Sequence, residues 1–416
     1  MKDKIPPISL HLAKFQHLWS LDPDVIFLNH GSYGACPLSV LAVQQSLRQQ
    51  LEKEPVRFFL REFEVLLDDA KNQLATFIGA QATDLVFVPN ATTGVNTVLR
   101  SLQFEPGDEL LTTDQEYNAC RNAINFVAES SGAQVVVVKV PFPIDSPEQV
   151  VEAVMQRVSP KTRIALLDHV TSQTGLIFPI QQLAHCLAER GIDLLVDGAH
   201  APGMVPLNLS EMNVVYYTGN CHKWLCAPKG AAFLYVQRHR QSAIRPLTIS
   251  HGANSPRTER SRFQLEFDWT GTADPTAYLC VPAAIRFMGS LLPGGWDELM
   301  ARNRAMVLAA RQLLCQTLGI LPPCPPDTIG SMAVVPVPDS GIKISSQGWE
   351  IPLLQDLLFE QFGIEVPVFV WGEKPSTQLL RISAQLYNSK EQYEYLAQAL
   401  QILGDGARGD VANLLI

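Results

Sequence analysis

Apolar runs alternate with helix-like stretches along the first 240 residues of the chain. Leucine and phenylalanine recur near the helical period across residues 38–78, which predicts two helices with a break near Pro55. Most of the apolar runs are continuous, as in strands that helices cover on both faces. The pattern predicts an α/β fold with a mainly parallel, doubly wound sheet of seven strands. The runs predicted as strands are residues 84–88, 109–112, 134–138, 164–167, 194–196, 214–217 and 231–235.

The pattern changes after about residue 285. A helix is predicted over 296–318, and a proline-rich turn and shorter strands and helices follow it. We therefore predict an N-terminal arm over residues 1–20, a large α/β domain over 21–285 and a smaller α+β domain over 286–416.

Composition narrows the class of protein. The chain has 416 residues, a net charge of −9 and no cluster of lysine and arginine that would follow a nucleic-acid backbone, so we expect a small-molecule substrate. No apolar stretch approaches the length of a membrane span and no signal-peptide pattern is seen, so a cytoplasmic location is expected. The eight cysteines lack Cys-x2-Cys spacing, which favours neither disulfides nor a metal site.

The turn after the strand at 84–88 has the composition of a phosphate-binding turn. It comprises Asn90-Ala91-Thr92-Thr93-Gly94 and opens a predicted helix. Unpaired N–H groups at a helix N-terminus attract anions, and the hydroxyls of Thr92 and Thr93 would add donors. An ordinary N-cap uses the same residue types, so this turn alone does not distinguish the two.

Two further strand ends carry residues suited to an aldehyde cofactor. Lys223 follows the strand at 214–217, and a lysine there can form a Schiff base. Asp197 ends the strand at 194–196, where a carboxylate can bind a protonated pyridine nitrogen. His200 either contacts the same cofactor or packs in its loop. The combination predicts an enzyme that uses pyridoxal phosphate (PLP).

The motifs around these residues resemble a known family. Thr218 to Leu225, with Ala227-Pro228-Lys229-Gly230 after it and Asp197-Gly198-Ala199-His200 before it, is similar to the Schiff-base segment of the class V aminotransferase superfamily. Residues 28–34, 115–119 and 364–368 most resemble its isopenicillin N epimerase-like branch, which also contains carbon–sulfur lyases. The resemblance covers nearly the whole chain and implies the fold type I architecture with PLP as cofactor.

The resemblance also implies roles for individual residues. Lys223 would be the Schiff-base lysine and proton carrier, with Asp197 at the pyridine nitrogen and His200 near the phenolic oxygen. The remaining cofactor contacts would be Thr92, Thr93 and His222 at the phosphate, Tyr117 stacked on the ring, and Ser172 and Gln173 near the phenolic oxygen.

Two implied roles concern the partner subunit and the substrate. The segment Trp269–Thr272 resembles the loop that reaches the phosphate of a neighbouring subunit, so Thr272 would make each active site of a homodimer shared. Arg381 would bind the α-carboxylate of an amino-acid substrate, because its two parallel N–H donors match a carboxylate. His30 is a further candidate for substrate contact.

The reaction stays open among several types. Epimerisation, the activity of the branch that the chain most resembles, needs a second acid/base beside Lys223, for which His30, Tyr33 and Tyr117 are candidates. A carbon–sulfur β-lyase needs Lys223 alone. A cysteine desulfurase would need a cysteine shortly before Arg381, and residues 364–380 contain none.

Other classes of function fit the sequence less well. A non-catalytic binding protein would not need to keep Lys223 and Asp197, and no Gly-x-Gly-x-x-Gly loop indicates a dinucleotide enzyme. The arginines at 257, 260 and 262 either bind an acidic substrate group or lie in an exposed loop.

Overall fold

The computed structural model describes residues 14–346, 348, 350–372 and 377–413, with side chains to residue 404. Within that part of the chain, no helix combines the length and apolarity that a membrane span requires. The strands are β1 (Ile26–Phe27), β2 (Leu85–Val88), β3 (Glu109–Thr113), β4 (Gln134–Val138), β5 (Thr162–Asp168), β6 (Asp193–Asp197), β7 (Tyr216–Asn220), β8 (Ala232–Val236), β9 (Met332–Val337), β10 (Ile342–Ile344), β11 (Glu350–Pro352), β12 (Ile364–Glu365), β13 (Val368–Trp371) and β14 (Thr377–Ser383).

Helices occupy most of the chain between the strands. They are α1 (His30–Tyr33), α2 (Leu38–Lys53), α3 (Pro55–Arg57), α4 (Phe63–Ile78), α5 (Ala91–Ser101), α6 (Asn118–Ser131), α7 (Glu148–Arg157), α8 (Ile180–Ala188), α9 (Leu209–Met212), α10 (Arg262–Phe267), α11 (Thr276–Leu279), α12 (Val281–Gly289), α13 (Gly295–Leu318), α14 (Leu353–Phe362) and α15 (Lys390–Asn413). A π-helical turn, Phe58–Glu62, joins α3 to α4. The helix break predicted near Pro55 is therefore present.

The chain divides into two compact units. The larger unit comprises Gly34–Ser172 and Ile177–Glu298, and the smaller unit comprises Gln173–Leu176 and the described residues of 1–33 and 299–416. Strand β1 lies in the smaller unit because it pairs in parallel with β12. These limits differ from the predicted domain boundaries at residues 20/21 and 285/286, and most of the predicted N-terminal arm lies outside the described residues.

A seven-stranded sheet forms the centre of the larger unit. Its strand order is β2-β8-β7-β6-β5-β3-β4. All neighbours from β7 to β4 are parallel, and β8 runs antiparallel to both β2 and β7. The prediction of a mainly parallel sheet covered by helices is confirmed. Strand β7 lies two residues later than predicted, because its pairing with β8 starts at Tyr216.

Register places several strand ends at one edge of the sheet. Asp168 at the end of β5 is paired with Asp197 at the end of β6, and Asp197 is paired with Thr218 in β7. The carboxyl ends of parallel strands are where α/β sheets bind ligands. The apolar parts of the same strands pack against α5 and α6, whose Val95, Val98 and Ile124 are fully buried.

The smaller unit contains its own antiparallel sheet. Its strand order is β13-β14-β9, and β10 pairs with β11 in a two-stranded sheet. Gly31 packs closely, because a Cβ there would lie 3.1 Å from Ser383 Oγ and closer still to the sulfur of Met332, so a larger residue would force the Met332 side chain to move. The segment that begins α1 therefore packs tightly on β9 and β14.

Candidate active site

Lys223 lies in a tight turn three residues after β7. The carbonyl oxygen of Ala231 accepts hydrogen bonds from the N–H groups of Cys221 and His222, at 2.9 and 3.2 Å. The carbonyl of Lys223 accepts one from the N–H of Cys226, at 3.0 Å. Backbone bonds on both sides thus fix the turn and leave the lysine side chain partly exposed.

The amine of Lys223 contacts a buried histidine. Its Nζ atom lies 3.0 Å from Nε2 of His200, which follows β6. An ammonium group has only donors, so Nε2 of His200 is the acceptor whenever Lys223 is protonated. The structure therefore brings together the two residues that sequence analysis placed at the cofactor's reactive end.

Asp197 is almost fully buried, with 2% of its surface exposed. Its Oδ1 accepts a hydrogen bond from the N–H of Ala199 at 2.9 Å, and its Oδ2 accepts one from the thiol of Cys120 at 3.1 Å. Burial raises the pKa of this carboxyl group above its ordinary value, although these two donors and the charge of Lys223 oppose the rise. Asp197 is thus a desolvated carboxyl group within electrostatic range of the lysine.

The first turn of α5 has the features of an anion site. Asn90 caps the helix through its side-chain oxygen, which accepts the N–H of Thr93 at 2.8 Å. The side-chain oxygen of Asn220, at the end of β7, accepts the N–H of Ala91 at 2.9 Å. That bond ties the helix N-terminus to the strand that leads to Lys223, and it leaves the side chains of Thr92 and Thr93 partly exposed. Sequence analysis missed the role of Asn220.

His222 is suited to an anion only in its charged form. Its Nδ1 lies 3.0 Å from the carbonyl oxygen of Ala231, which can only accept, so Nδ1 carries a proton. In the neutral ring Nε2 is then an acceptor. Burial lowers the pKa of His222 to about 4. A phosphate dianion beside the ring would raise this pKa and turn Nε2 into a donor.

Two further carboxyl groups lie beside Asp197 and were missed by sequence analysis. Asp168 is 2% exposed and Glu116 is 8% exposed. Carboxylate oxygens of Glu116 and Asp197 and the sulfur of Cys120 all lie within 4.8 Å of one another. The signal for Asp168 was available, since it ends an apolar run as Asp197 does.

Other predicted cofactor contacts in the larger unit lie at exposed positions. Tyr117, at the N-terminus of α6, is 47% exposed, and Ser172 is partly exposed. Thr272 is exposed in the loop between α10 and α11, where Gly271 has a φ of +131°. Trp269 anchors the start of that loop by packing edge-on against Phe59, with ring centroids 5.4 Å apart.

Three predicted residues belong to the smaller unit. Arg381 is buried in β14, donates from Nη2 to the hydroxyl of Ser32 at 2.9 Å and lies over the ring of Phe369. His30 is buried and shares a 2.8 Å hydrogen bond with the hydroxyl of Tyr387. Gln173 is partly exposed. Their predicted contacts with cofactor and substrate stay predictions.

The arginines at 257 and 260, which precede α10, and Arg262, its first residue, have partners within the larger unit. Arg257 binds Glu64 at 2.6 Å, and Arg260 binds Asp68 and, at 3.4 Å, Asp268. Arg262 lies 3.8 Å from a carboxylate oxygen of Glu266. Because carboxylates of the chain already neutralise these side chains, the alternative of a role in the surface loop is favoured over binding of an acidic substrate.

Comparison with known proteins gives consistent matches. A family model described as aminotransferase class-V matches residues 37–396. The chain is 35% identical over 397 residues to isopenicillin N epimerase from Streptomyces clavuligerus, covering 92% of this chain and 96% of that protein. It is 31% identical over 406 residues to a probable chloroplastic L-cysteine desulfhydrase from Arabidopsis thaliana, covering 92% and 84%.

Solved structures share the fold. The chain is similar, with a TM-score of 0.74 and 21% identity, to the cystine C–S lyase C-DES in complex with its reaction product cysteine persulfide. The match covers 91% of this chain and 97% of that one.

Proposed function

The chain belongs to the class V aminotransferase family, and from this membership we propose a PLP-dependent enzyme that acts at the α-carbon of an amino acid through Lys223. The family resemblance and the fold type I architecture predicted from the motifs are confirmed. The observation that carries the proposal is the amine of Lys223, 3.0 Å from His200 and within electrostatic range of the buried Asp197.

The residues present fit PLP. A desolvated carboxyl group, Asp197, matches the pyridine nitrogen, and the N-terminus of α5 with Thr92 and Thr93 matches the phosphate. Small residues are required behind this turn, because a Cβ on Gly94 would lie 2.7 Å from Cβ of Thr218. His222 would add a charged donor to the phosphate, and the exposed ring of Tyr117 would stack on the cofactor.

The cofactor supplies an electron sink for the bonding pair released at the substrate α-carbon. The protein then has to move a proton at that carbon, and Lys223 Nζ is the group we assign to this step. His200 orients the amine through the 3.0 Å contact. Asp197 would hold a proton on the pyridine nitrogen when the cofactor is bound, and Arg381 is assigned to the substrate carboxylate. Gln173 and Ser172 are assigned to the phenolic oxygen, and His30 to the substrate.

An epimerase-like reaction is the first candidate. It is supported by the 35% identity with isopenicillin N epimerase over nearly the whole chain. The reaction needs a second acid/base on the opposite face of the α-carbon. Of the candidates for this second acid/base, Tyr117 is the one that lies in the larger unit. Its side chain is exposed at the N-terminus of α6.

A carbon–sulfur β-lyase is the second candidate. It is supported by the 31% identity with a probable L-cysteine desulfhydrase and by the need for one base only. Cysteine desulfurase chemistry has less support, because it requires an accessible thiolate. Cys315 and Cys324 are buried, and burial raises the pKa of both thiols.

The test is incubation of the PLP-loaded enzyme in D2O with a panel of amino acids, including cysteine and cystine, followed by NMR. Deuterium at an intact α-carbon with both enantiomers present supports the epimerase. Pyruvate and ammonia support the β-lyase. K223A should remove either activity and covalent labelling by borohydride, whereas the nearby variant K229R keeps the Schiff-base amine. Labelling of K223A at another lysine would contradict the proposal.

We also propose a homodimer in which Thr272 reaches the phosphate of the neighbouring subunit. The proposal is supported by large apolar side chains that are exposed in one stretch of the larger unit: Leu38, Leu41, Val56, Leu60 and Val65. Light scattering should give twice the chain mass of 45.9 kDa. L60E should weaken the dimer, whereas L321E, at a leucine of the smaller unit that is also largely exposed, should not. A monomeric wild type would contradict the proposal.

A cytoplasmic location is proposed as well. It is supported by eight free cysteines, none of which forms a disulfide, because unpaired thiols are typical of reducing compartments. Cell fractionation with compartment markers tests it, and recovery of the protein outside the cytoplasmic fraction would contradict it.

A further inference from the structure

Three buried carboxyl groups share the space below the carboxyl ends of β5 and β6. Asp168 and Asp197 are register partners on adjacent parallel strands, so their side chains project from the same face of the sheet. Glu116 reaches the same space from the loop after β3, with a carboxylate oxygen within 4.8 Å of Asp197. The groups that face this cluster are Cys120, Arg121, Lys223, the phenol of Tyr217 and the hydroxyl of Thr112.

Hydrogen bonds are distributed unequally among the three groups. Asp197 accepts from the N–H of Ala199 at 2.9 Å and from Cys120 at 3.1 Å. Glu116 accepts only a long contact from Thr112, at 3.4 Å, and its Oε1 is buried with no partner among the described residues. Oδ2 of Asp168 is likewise buried without a partner in the part of the chain that the structure describes.

Donors stabilise a carboxylate, whereas burial and neighbouring negative charge destabilise it. The cluster cannot hold three negative charges against one half-buried arginine and one lysine without a large cost. Negative charge therefore settles on Asp197, the group with the most donors. Burial first, and then the neighbouring carboxyl groups, raise the pKa of Glu116 and of Asp168 well above their ordinary values.

We propose that Glu116 and Asp168 are positioning residues that stay protonated at neutral pH, so that Asp197 is the single carboxylate of the cluster and its charge is reserved for the pyridine nitrogen. The two neutral acids form a polar, uncharged floor under the cofactor. They act through Asp197 and need not touch PLP. The inference rests on the assignment of Asp197 in the proposed function.

Protonated Glu116 and Asp168 should be detectable in two ways, by infrared spectroscopy and by a pH titration of the cofactor absorbance. The carbonyl stretching band of a protonated carboxyl group is absent from carboxylates, so the holoenzyme should show this band in infrared spectra at pH 7.5. E116Q and D168N should each remove part of it. Glutamine and asparagine are uncharged isosteres, so both variants should bind PLP within about threefold of the wild-type affinity. The exposed variant E129Q, on α6, is the control and should leave the band unchanged.

The pH titration of the lysine-bound cofactor absorbance gives the second readout. When Glu116 or Asp168 loses its proton at alkaline pH, the new negative charge should shift this absorbance, and the step should disappear in E116Q or D168N. A structural role alone would not remove such a step. If both variants keep the full carbonyl band, the inference is wrong. It is also wrong if E116Q lowers the pKa of the lysine-bound cofactor by about one unit, because that shift would mean that Glu116 is a carboxylate in the wild type at neutral pH.

The two proposals fail separately. D197N should weaken PLP binding about tenfold or more if Asp197 binds the pyridine nitrogen. If D197N binds PLP as the wild type does, the assignment of Asp197 is wrong, whatever the infrared band shows. If D197N is impaired but the carbonyl band does not depend on residues 116 and 168, only the neutral-acid inference is wrong. Where one variant fails to fold, the other still tests the band.

Discussion

The backbone of the lysine turn leaves no room for a side chain at Gly34. This glycine has a φ of +69°, and a Cβ there would lie 2.9 Å from Cα of Lys223 and closer still to the carbonyl oxygen of His222. Ordinary carbon–carbon contacts are about 3.5–4.0 Å, so G34A would push the turn by about 1 Å. We expect this shift to reduce kcat/KM by about 10- to 100-fold, because displacements of that size misalign reacting groups.

A matched control separates the displacement from the backbone strain. Gly191 has the same φ of +69°, but a Cβ there would meet nothing within 4 Å. An alanine at either position pays the cost of left-handed backbone, about 1–2 kcal/mol. G191A should therefore lose stability but keep kcat/KM within about twofold, whereas G34A should lose both.

The assay is the rate of α-proton exchange in D2O, measured with both variants fully loaded with PLP and with their unfolding free energies determined in urea. His222 shares the displaced turn, so G34A should also bind PLP more weakly than G191A. If G34A matches G191A in exchange rate and in PLP affinity, the packing of Gly34 against the turn does not position Lys223, and the reasoning is refuted.

Three further predictions concern other parts of the chain. K71M should lower the free energy of unfolding, measured in urea, by about 3 kcal/mol, because Lys71 is 2% exposed and binds both oxygens of Asp268. The exposed variant K53M is the control, and a loss in K71M no larger than that in K53M would contradict the prediction. Burial lowers the pKa of His169 to about 4, below the unfolded value of 6.5, so its contribution to stability is complete above pH 6.5 and is lost as the pH falls towards 4. Wild type should lose about 2 kcal/mol between pH 7 and 5 through this residue, and urea unfolding of H169Q should show a correspondingly smaller pH dependence. R381K should raise KM for the amino-acid substrate about tenfold with a smaller fall in kcat, because one ammonium group cannot make two parallel hydrogen bonds to a carboxylate. Steady-state kinetics measure both constants, and an unchanged KM would contradict the assignment of Arg381 to the substrate carboxylate.

The sequence alone predicts the elements of the sheet better than the composition of the site. Apolar runs locate the strands within about two residues because burial of both faces leaves a local mark. The cap at Asn90 and the break at Pro55 are local too, so both could be read directly. Strand β7 was displaced because Val214 and Val215 extend the apolar run before pairing with β8 begins.

The acidic cluster could not be predicted in the same way. Glu116 and Asp168 are 52 residues apart in the chain and meet only because β3 and β5 are neighbours in the sheet. A glutamate in a loop is usually solvated, and nothing in its local sequence marks burial. The same holds for Asn220, whose bond to Ala91 joins elements 129 residues apart. Chemistry that depends on strand order needs the tertiary structure.

The antiparallel strand β8 has a consequence for how the chain acquires its cofactor site during synthesis. β2 and its helix α5 are made early, but β2 joins the sheet only through β8, which begins at Ala232. Until that strand emerges from the ribosome, β2, which leads directly into the helix that would bind the phosphate, has no neighbour in the sheet. Pairing over such long separations is slow compared with local folding. A nascent chain that stops before Ala232 should therefore be unable to bind PLP. Binding of the cofactor would then indicate that the sheet is complete.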